Sequence, residues 1–350
     1  MIIKIGRDYI GDNFPAYFIA EAGVNHNGSL RLGKKLIDIA KISGANAVKF
    51  QTFKADKIII PDGPKAKYHI ETTGRDKKLS WRDLLVSQEI SKKMHIALIK
   101  HCKKRKITFL STPYDEESAD LLDELGVEAY KIASTDNDNY PLLAHIAKKN
   151  KPMLISTAMC SMKEVLKAKE VIKKNGCKKF AFLQCTGNYP SKTKDANINV
   201  VKTYMKKLNC PIGYSDHTQN DIAAIASISI GAKIIEKHFT VNKKLFGPDH
   251  RISLEASELK EFFKELRLAE SSLGDYEKKV IKSEKENRLK LKKSIVTSED
   301  LKKGQLITIK NIAIKRPGDG IRPIDINKVL KKKIKFNLKK NTVLKRKMIK

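Results

Sequence analysis

Two lysines in this sequence stand where a charged side chain is costly. Lys49 lies in AVKF and Lys131 lies in AYKIA, and both segments are short apolar runs. An ammonium group is expensive to bury unless an opposite charge pairs with it. Because Ser and Thr hydroxyls follow several such runs, the two lysines predict a cradle for a phosphate or a carboxylate.

Two histidines follow neighbouring apolar runs, His217 in GYSDHT and His238 in IIEKHF. A pair of imidazoles suits a divalent metal, with carboxylate or water completing the coordination shell. A second interpretation stays open, in which one histidine is a metal-free general base and the other is a hydrogen-bonded core residue. The histidines predicted to lie in loops or on helix surfaces are His69, His95, His101 and His145. His26 and His250 stay ambiguous, because both stand beside these motifs.

Two carboxylates accompany the lysines and histidines, Glu21 in AEAGVNHNG and Asp249 in FGPDHR. One of them could handle a proton or a water molecule, and the other could bind sugar hydroxyls. Cys185 in LQCT is predicted to be a small core residue, because no base is evidently paired with it.

Short apolar runs alternate with amphipathic stretches from residue 16 to about residue 272. The predicted strands are 16–20, 47–50, 107–111, 129–132, 153–156, 180–184, 211–214 and 233–239, and the predicted helices include 30–43, 87–106, 116–126, 162–175, 221–231 and 257–272. About eight strand–helix units in some 250 residues predict an α/β fold, a (β/α)₈ TIM barrel. A doubly wound open sheet is the alternative, weakened by the lack of GxGxxG after the first strand. Residues 55–80 are predicted to be a loop that could cover the active site.

Polar residues end nearly every predicted strand, and in a barrel these ends converge on one face. They are Glu21, Lys49, Gln51, Ser111, Thr112, Lys131, Ser134, Ser156, Thr157, Gln184, Asn188, Tyr189, Ser215, Asp216, His217, Glu236 and His238. A single Ser or Thr here could simply cap a helix. Such residues at all eight strand ends predict an active site instead.

The composition limits the classes of partner and of cysteine site that this chain can have. The formal net charge is +32, but only 11 of the 71 basic residues are arginines, which favours a solvated lysine-rich surface over a nucleic-acid groove. Five cysteines without CxxC spacing indicate neither a disulfide framework nor a zinc knuckle. No apolar run could span a bilayer and no signal peptide is evident, so we expect a cytoplasmic protein without nucleic-acid or membrane partners.

The chain is predicted to comprise a barrel domain (1–272), a polar linker (273–290) and a small β-rich domain (291–350). The barrel motifs AEAGVNHNG, VKFQ, FLSTP, YKIAS, LISTAM, CTGNYP, GYSDHT, EKHFT and GPDH, with KRPGDGI in the tail, resemble those of the sialic acid synthase family. That family condenses phosphoenolpyruvate with an N-acylated hexosamine to make nonulosonic acids. The resemblance implies a TIM barrel followed by an antifreeze-like (SAF) domain.

The resemblance also implies a role for each matching residue. Glu21 is expected to contact the sugar and activate water or the aldehyde. The residues expected to hold phosphoenolpyruvate are Lys49, Thr112, Lys131, Ser134, Ser156 and Ser215, with Asn188 replacing a contact that Gly187 cannot make. Those expected to bind the sugar are Gln51, Tyr189 and Asp249. His217 and His238 would hold a manganese-type metal, with Mg²⁺ or Co²⁺ as alternatives. Arg316 would reach the N-acyl group from the SAF domain of a partner subunit, in a domain-swapped homodimer.

The predicted activity is N-acetylneuraminate synthesis from phosphoenolpyruvate and N-acetylmannosamine, with phosphate released by C–O cleavage. The alternatives are legionaminic or pseudaminic acid synthesis from a di-N-acetylated sugar. A 3-deoxy-octulosonate phosphate synthase agrees less well, because those enzymes lack the SAF tail. A non-catalytic protein whose basic tail docks nucleic acid or membrane is the alternative from another class, and the polar strand ends argue against it.

Overall fold

A computed structural model describes residues 1–73 and 80–350 of the chain. The chain divides into two compact units, Met1–Gly274 and Asp275–Lys350. The first unit contains the alternating strands and helices, and the second is rich in short extended segments.

The first unit begins with an antiparallel hairpin, β1 (Ile3–Ile5) and β2 (Asp8–Ile10). Among the described residues, eight further strands form one parallel sheet in the order β5-β4-β3-β10-β9-β8-β7-β6, and β5 and β6 at its two ends lie next to each other. They are β3 (Tyr17–Gly23), β4 (Ala47–Thr52), β5 (Thr108–Pro113), β6 (Tyr130–Ile132), β7 (Met153–Ser156), β8 (Phe180–Cys185), β9 (Ile212–Asp216) and β10 (Ile234–His238). The sheet is a nearly closed barrel, which confirms the predicted fold class.

Helices surround the barrel and alternate with its strands. They are α1 (Leu30–Ile42), α2 (Ala55–Ile58), α3 (Lys67–Thr73), α4 (Trp81–Gln88), α5 (Lys92–Arg105), α6 (Glu116–Glu124), α7 (Tyr140–Lys148), α8 (Met162–Lys174), α9 (Asn199–Leu208), α10 (Ile222–Ser229) and α11 (Ala256–Ser272). Short 3₁₀ turns occur at Ser134–Asp136, Thr193–Asp195 and His250–Ile252.

Two local predictions were wrong. The helix predicted over 87–106 is divided, because Ser91 accepts a hydrogen bond from the Met94 amide and starts a new helix there. The segment predicted to be a loop over 55–80 contains α2 and α3 and ends at the capping box of α4, in which Ser80 and Asp83 bond each other's backbone amides. Residues 74–79 of this segment lie outside the described residues.

The strands bury both faces, as parallel barrel strands do. Side chains near the strand starts form a cluster inside the barrel, and Ile3, Ile5 and Ile10 of the hairpin belong to it. The hairpin therefore closes the end of the barrel at which the strands begin. Polar side chains are left to occupy the opposite end.

The second unit contains α12 (Lys285–Leu291) and an antiparallel pair, β11 (Ser294–Thr297) and β12 (Ile312–Lys315). Its 3₁₀ turns are Lys282–Glu284, Ile309–Asn311, Pro323–Lys328 and Arg346–Met348. A core of its own includes Ile295, Ile307, Ile334 and Leu344, all fully buried. The unit is thus a small β-rich domain with a separate hydrophobic core.

Candidate active site

A cavity of about 490 Å³ opens where the barrel strands end. Twelve of the predicted site residues line it: Glu21, Lys49, Gln51, Thr112, Lys131, Ser134, Ser156, Tyr189, Ser215, His217, His238 and Asp249. They come from all eight barrel strands or from the loops directly after them. The barrel therefore brings together residues that lie up to 228 positions apart in the sequence.

The floor of this cavity is a cluster of buried charges. The Lys49 ammonium lies 2.9 Å from Glu21 Oε1 and 3.8 Å from Glu236 Oε1. The Lys131 ammonium also lies 3.8 Å from Glu236 Oε1. Two cations and two carboxylates thus compensate one another in a place that water barely reaches.

Strand register explains these contacts. Glu21 of β3 pairs with Lys49 of β4 on one side and with His238 of β10 on the other. Glu236 stands two residues before His238, so both side chains leave β10 on the same side. Neighbouring strands of a closed barrel therefore deliver these groups to one level of its interior.

Hydroxyl groups complete the surroundings of the lysines. Lys49 donates to Thr112 Oγ1 at 3.1 Å, and Lys131 donates to Ser156 Oγ at 2.6 Å. Ser215 donates to Glu236 Oε1 at 3.1 Å, while Ser134 Oγ accepts from the Ala158 amide. These are the donors that a phosphate or carboxylate would meet if it entered the floor.

Burial and the neighbouring charges shift the pKa values of the cluster's members in different directions. Burial lowers the pKa of Lys131 even though Glu236 opposes the shift. Burial acts in the same direction on Lys49, but Glu21 and Glu236 outweigh it and leave the pKa of Lys49 raised. Burial opposes ionisation of Glu236, yet the two lysines hold its pKa below the ordinary value. Lys49 and Glu236 are accordingly ionised at neutral pH.

Glu21 behaves differently. Burial raises its pKa to about 7, against the pull of Lys49. Its Oε2 atom is buried and has no hydrogen-bond partner among the described residues. A carboxyl group that titrates near neutral pH and keeps one free oxygen can exchange a proton with a substrate or water.

Gly23 marks the point where three predicted sugar-site residues meet. A Cβ atom built there would lie 3.3 Å from Glu21 Oε1 and 3.4 Å from both Asp249 Oδ2 and Gln51 Nε2. Gly23 has φ +50°, a conformation that side-chain-bearing residues rarely adopt. Glycine thus leaves the space that these polar groups share. Asp249 is buried as well, which raises its pKa to about 6.

His217 and His238 pack together, with ring centroids 5.3 Å apart. His217 Nδ1 lies 2.7 Å from the Thr186 carbonyl, so Nδ1 carries the proton and Nε2 keeps its lone pair. Burial lowers the pKa of His217 to about 4 and that of His238 well below its usual value. Both rings are therefore neutral, the form that binds metal.

These two histidines fit a divalent cation as partial ligands. His238 Nδ1 is buried without a hydrogen-bond partner in the described part of the chain, and Asp249 Oδ2 lies 3.8 Å from it. Within the described residues, no group of three or more His, Cys, Asp or Glu side chains is arranged to hold a metal. A cation here would need water or substrate oxygens to complete its shell, as sites that act on substrates do.

The insert 55–80 supplies an aromatic wall to the cavity. Tyr68 of α3 stacks on Tyr189 at 4.9 Å, and Tyr189 packs against His217 at 4.1 Å. His69 packs at a tilt against Tyr68, with ring centroids 3.9 Å apart, and stacks on Trp81, the first residue of α4, at 3.8 Å. The insert thus lines the site.

Two histidine predictions were wrong. His69 is buried in this wall, and His95 is fully buried with its Nε2 2.8 Å from Thr52 Oγ1. His95 lies on the inner face of α5, where Met94 and Leu98 are also buried. His101 and His145 are partly exposed and lie beside Asp38 and Asp120. The ambiguous pair, His26 and His250, is buried outside the cavity lining.

Cys185 is buried as predicted, and His217 lies beside it, but the nearer ring nitrogen carries the proton donated to the Thr186 carbonyl and so is not a base toward the thiol. Its Sγ atom lies 3.6 Å from His217 Nδ1. Burial raises the pKa of the thiol to about 12, so it stays protonated. The neighbour was not foreseen because it comes from the adjacent strand.

Two predicted residues are not in this cavity. Asn188 is exposed on the loop after β8, and its carbonyl oxygen accepts from Ser191. The predicted phosphoenolpyruvate contact therefore finds no support in its position. Arg316 belongs to the second unit, where it is exposed and its Nε donates to the Leu291 carbonyl at 3.0 Å.

Glu236 is the central group that sequence reasoning passed over. The sequence pattern identifies Glu236 as a strand-end residue but predicts no role for it in the site. Its place two residues before His238 in a buried strand was the available signal. Lys237 was also missed, and it forms a buried ion pair with Asp216 at 2.7 Å; the two residues directly precede His238 and His217 in the chain.

Both units of the chain match known protein families. The NeuB family model matches residues 36–278, and the SAF domain model matches residues 292–350. The chain belongs to the NeuB family. The resemblance seen in the motifs is therefore confirmed, together with the SAF domain.

Named relatives indicate what members of this family do. The N,N'-diacetyllegionaminic acid synthase of Campylobacter jejuni is 42% identical over 93% of this chain and 98% of its own length. The protein of the same name from Legionella pneumophila is 39% identical over 95% and 94%. A crystal structure of the sialic acid synthetase of Leptospira borgpetersenii is 35% identical, with a TM-score of 0.71 over 82% of this chain and 95% of that one. The chain is accordingly a transferase-type enzyme. In the part of the chain that the structure describes, no helix has the length and apolar character needed to cross a bilayer.

Proposed function

We propose that the chain condenses phosphoenolpyruvate with the open-chain aldehyde of an N-acetylated hexosamine, forming a nonulosonic acid and releasing phosphate. The observation that carries this proposal is the buried floor. There Lys49 and Lys131 flank two carboxylates, and two neutral imidazoles line the same cavity. Such a floor suits an anionic substrate whose charge changes during reaction.

Lys49 and Lys131 would neutralise the phosphate and carboxylate of phosphoenolpyruvate. The hydroxyls that would donate to these oxygens are those of Thr112, Ser134, Ser156 and Ser215. In the free protein, Glu236 compensates both ammonium groups. This keeps the cations in place before the anionic substrate arrives.

The reaction then requires two additions and one bond cleavage. Carbon 3 of phosphoenolpyruvate forms a bond to the aldehyde carbon, and the aldehyde oxygen takes up a proton to become a hydroxyl. Water adds to carbon 2 and gives up a proton, for which the free carboxylate oxygen of Glu21 is the candidate acceptor. The tetrahedral intermediate then loses phosphate together with the bridging oxygen, while the hydroxyl on carbon 2 becomes a carbonyl and its proton leaves with the phosphate.

His217 and His238 would hold a divalent cation at the aldehyde end, with Mn²⁺ as the first candidate and Mg²⁺ or Co²⁺ as alternatives. The chemistry that such a cation supplies when bound is Lewis acidity toward a carbonyl oxygen. Gln51, Tyr189 and Asp249 would orient the sugar beside it. This assignment agrees with the shared space around Gly23 and with the contact between Tyr189 and His217.

For the acceptor we favour a 2,4-diacetamido hexose over N-acetylmannosamine. The support is that the relatives at 42% and 39% identity are diacetyllegionaminic acid synthases. N-acetylmannosamine, the acceptor expected from the motifs, remains the second candidate. Its support is the structural likeness to a sialic acid synthetase.

The test is phosphate release from phosphoenolpyruvate with no sugar, with N-acetylmannosamine, or with its 2,4-diacetamido analogue. We expect release only when a sugar is present, and faster release with the diacetamido sugar. Lys131→Met should abolish release, whereas Lys148→Met, at an exposed position in α7, should keep it. No release with either sugar, or equal release without sugar, would contradict the proposed function.

A further inference from the structure

The cavity has two unlike sides. Its floor is charged, whereas the side formed by the insert 55–80 and by α4 is aromatic and apolar, with Tyr68, His69, Trp81 and Leu85 among its lining residues. Trp81, Leu85 and Gln88 are spaced at i, i+4 and i+7 on α4, so they share one face of that helix. The predicted substrate-binding residues named above leave this side without a ligand.

Two buried polar atoms on this side have no hydrogen-bond partner among the described residues. They are His69 Nδ1 and Gln88 Oε1, and their side chains are 8% and 2% exposed. Unsatisfied polar atoms in a buried wall are costly, by about 1–3 kcal/mol each. A bound ligand that carries both a donor and an acceptor would remove this cost.

The chemistry of these groups matches an acetamido substituent. The Gln88 carbonyl oxygen can accept from an amide N–H, and a neutral imidazole can donate from Nδ1 to an amide carbonyl. The aromatic faces of Trp81 and Tyr68 offer an apolar surface to the methyl group. We propose that Tyr68, His69, Trp81 and Gln88 form a subsite for an acetamido group of the acceptor sugar that N-acetylmannosamine lacks.

The position of this subsite indicates which acetamido group of the sugar it binds. A series of packed rings runs from His217 through Tyr189 and Tyr68 to His69. The centroids of successive rings are 4.1, 4.9 and 3.9 Å apart. The aldehyde carbon must lie near the two histidines under the proposed function, on which this inference rests. The acetamido group on carbon 2 is adjacent to that carbon, so the wall is left for the group on carbon 4.

The experiment compares two acceptors in three variants. His69→Phe keeps the ring stack and removes Nδ1, and Gln88→Met keeps the side-chain length and removes Oε1. His101→Phe is the matched control, since His101 lies on α5 beside Asp38 and does not line the cavity. The measured quantities are kcat/KM for N-acetylmannosamine and for its 2,4-diacetamido analogue, KM for phosphoenolpyruvate, and Tm.

We expect kcat/KM for the diacetamido sugar to fall about 10- to 100-fold in His69→Phe and Gln88→Met, the loss of one buried hydrogen bond. Turnover of N-acetylmannosamine, KM for phosphoenolpyruvate and Tm should stay close to wild type. Equal losses with both sugars, or unchanged use of the diacetamido sugar, would overturn the subsite. If wild-type enzyme uses N-acetylmannosamine better, the subsite is likewise refuted. If it releases phosphate with neither sugar, the proposed function itself fails.

Discussion

Glu21 places a titrating carboxyl group in the floor of the cavity, with a pKa of about 7. Both the activity and the stability of the protein should therefore change with pH as this group ionises. An exposed glutamate has an ordinary value of 4.5. The difference corresponds to about 3 kcal/mol in favour of the protonated form in the folded state. Because the folded pKa is raised, the stability that this group contributes is present in full below pH 4.5. It is lost as the pH rises to about 7.

Glu21→Gln should therefore have opposite effects on the two properties. Glutamine resembles the protonated carboxyl, so the variant should resist urea more than wild type at pH 8.5, by up to about 3 kcal/mol. Near pH 4.5 the difference should vanish. Activity should fall about 10²- to 10⁴-fold, the usual contribution of a positioned proton acceptor.

Two measurements check this reasoning. Urea unfolding at pH 4.5 and 8.5 gives the stability difference, and phosphate release between pH 5.5 and 9 gives the profile of kcat/KM. Wild type should gain activity as the pH rises through about 7, and Glu21→Gln should lose that limb. A variant that is less stable than wild type at pH 8.5, or that keeps the same limb, would refute the role of Glu21.

Three further predictions address the metal, the core and the assembly. His217→Ala should weaken Mn²⁺ binding more than about 100-fold by calorimetry while the fold persists, since a direct ligand contributes more than its outer partners; unchanged binding would mean that the histidines are misassigned. Lys237→Met leaves a buried carboxylate unpaired and should cost about 3–5 kcal/mol in urea unfolding, whereas Lys243→Met, at a surface ion pair, should cost under about 1 kcal/mol. In a domain-swapped dimer, Arg316→Ala and Glu21→Ala should each be inactive alone. When the two variants are refolded together, about half of the dimers are mixed, and each mixed dimer carries one intact site out of two. Activity should therefore recover to about a quarter of wild type. No recovery on mixing would show that each tail serves its own barrel.

The barrel and most of its polar floor could be predicted from the sequence, because both depend on local patterns. Apolar runs of four to seven residues mark the strands, and a polar residue at each run's end marks the catalytic face. Lys49 and Lys131 stood out because a lysine inside an apolar run implies a partner. The partner of Lys131, Glu236, lies about a hundred residues further along the chain, and only the closed sheet brings them together.

The insert was harder to predict, because its helices are short. Four residues in α2 and seven in α3 are too few to show a helical period. His69 was placed on a surface for the same reason, since nothing local indicates that Tyr68 and Trp81 enclose it. His95 was misplaced because a polar residue on the inner face of a helix breaks the pattern that identifies that face.

The proposed reaction joins phosphoenolpyruvate to an aminosugar aldehyde with cleavage of the C–O bond. The most direct measurement uses phosphoenolpyruvate labelled with ¹⁸O at the oxygen that bridges carbon and phosphorus. With the 2,4-diacetamido acceptor, the label should leave in inorganic phosphate, one equivalent for each nonulosonic acid formed. Label retained in the sugar acid would mean cleavage of the P–O bond, and it would contradict the addition of water to carbon 2 beside Glu21.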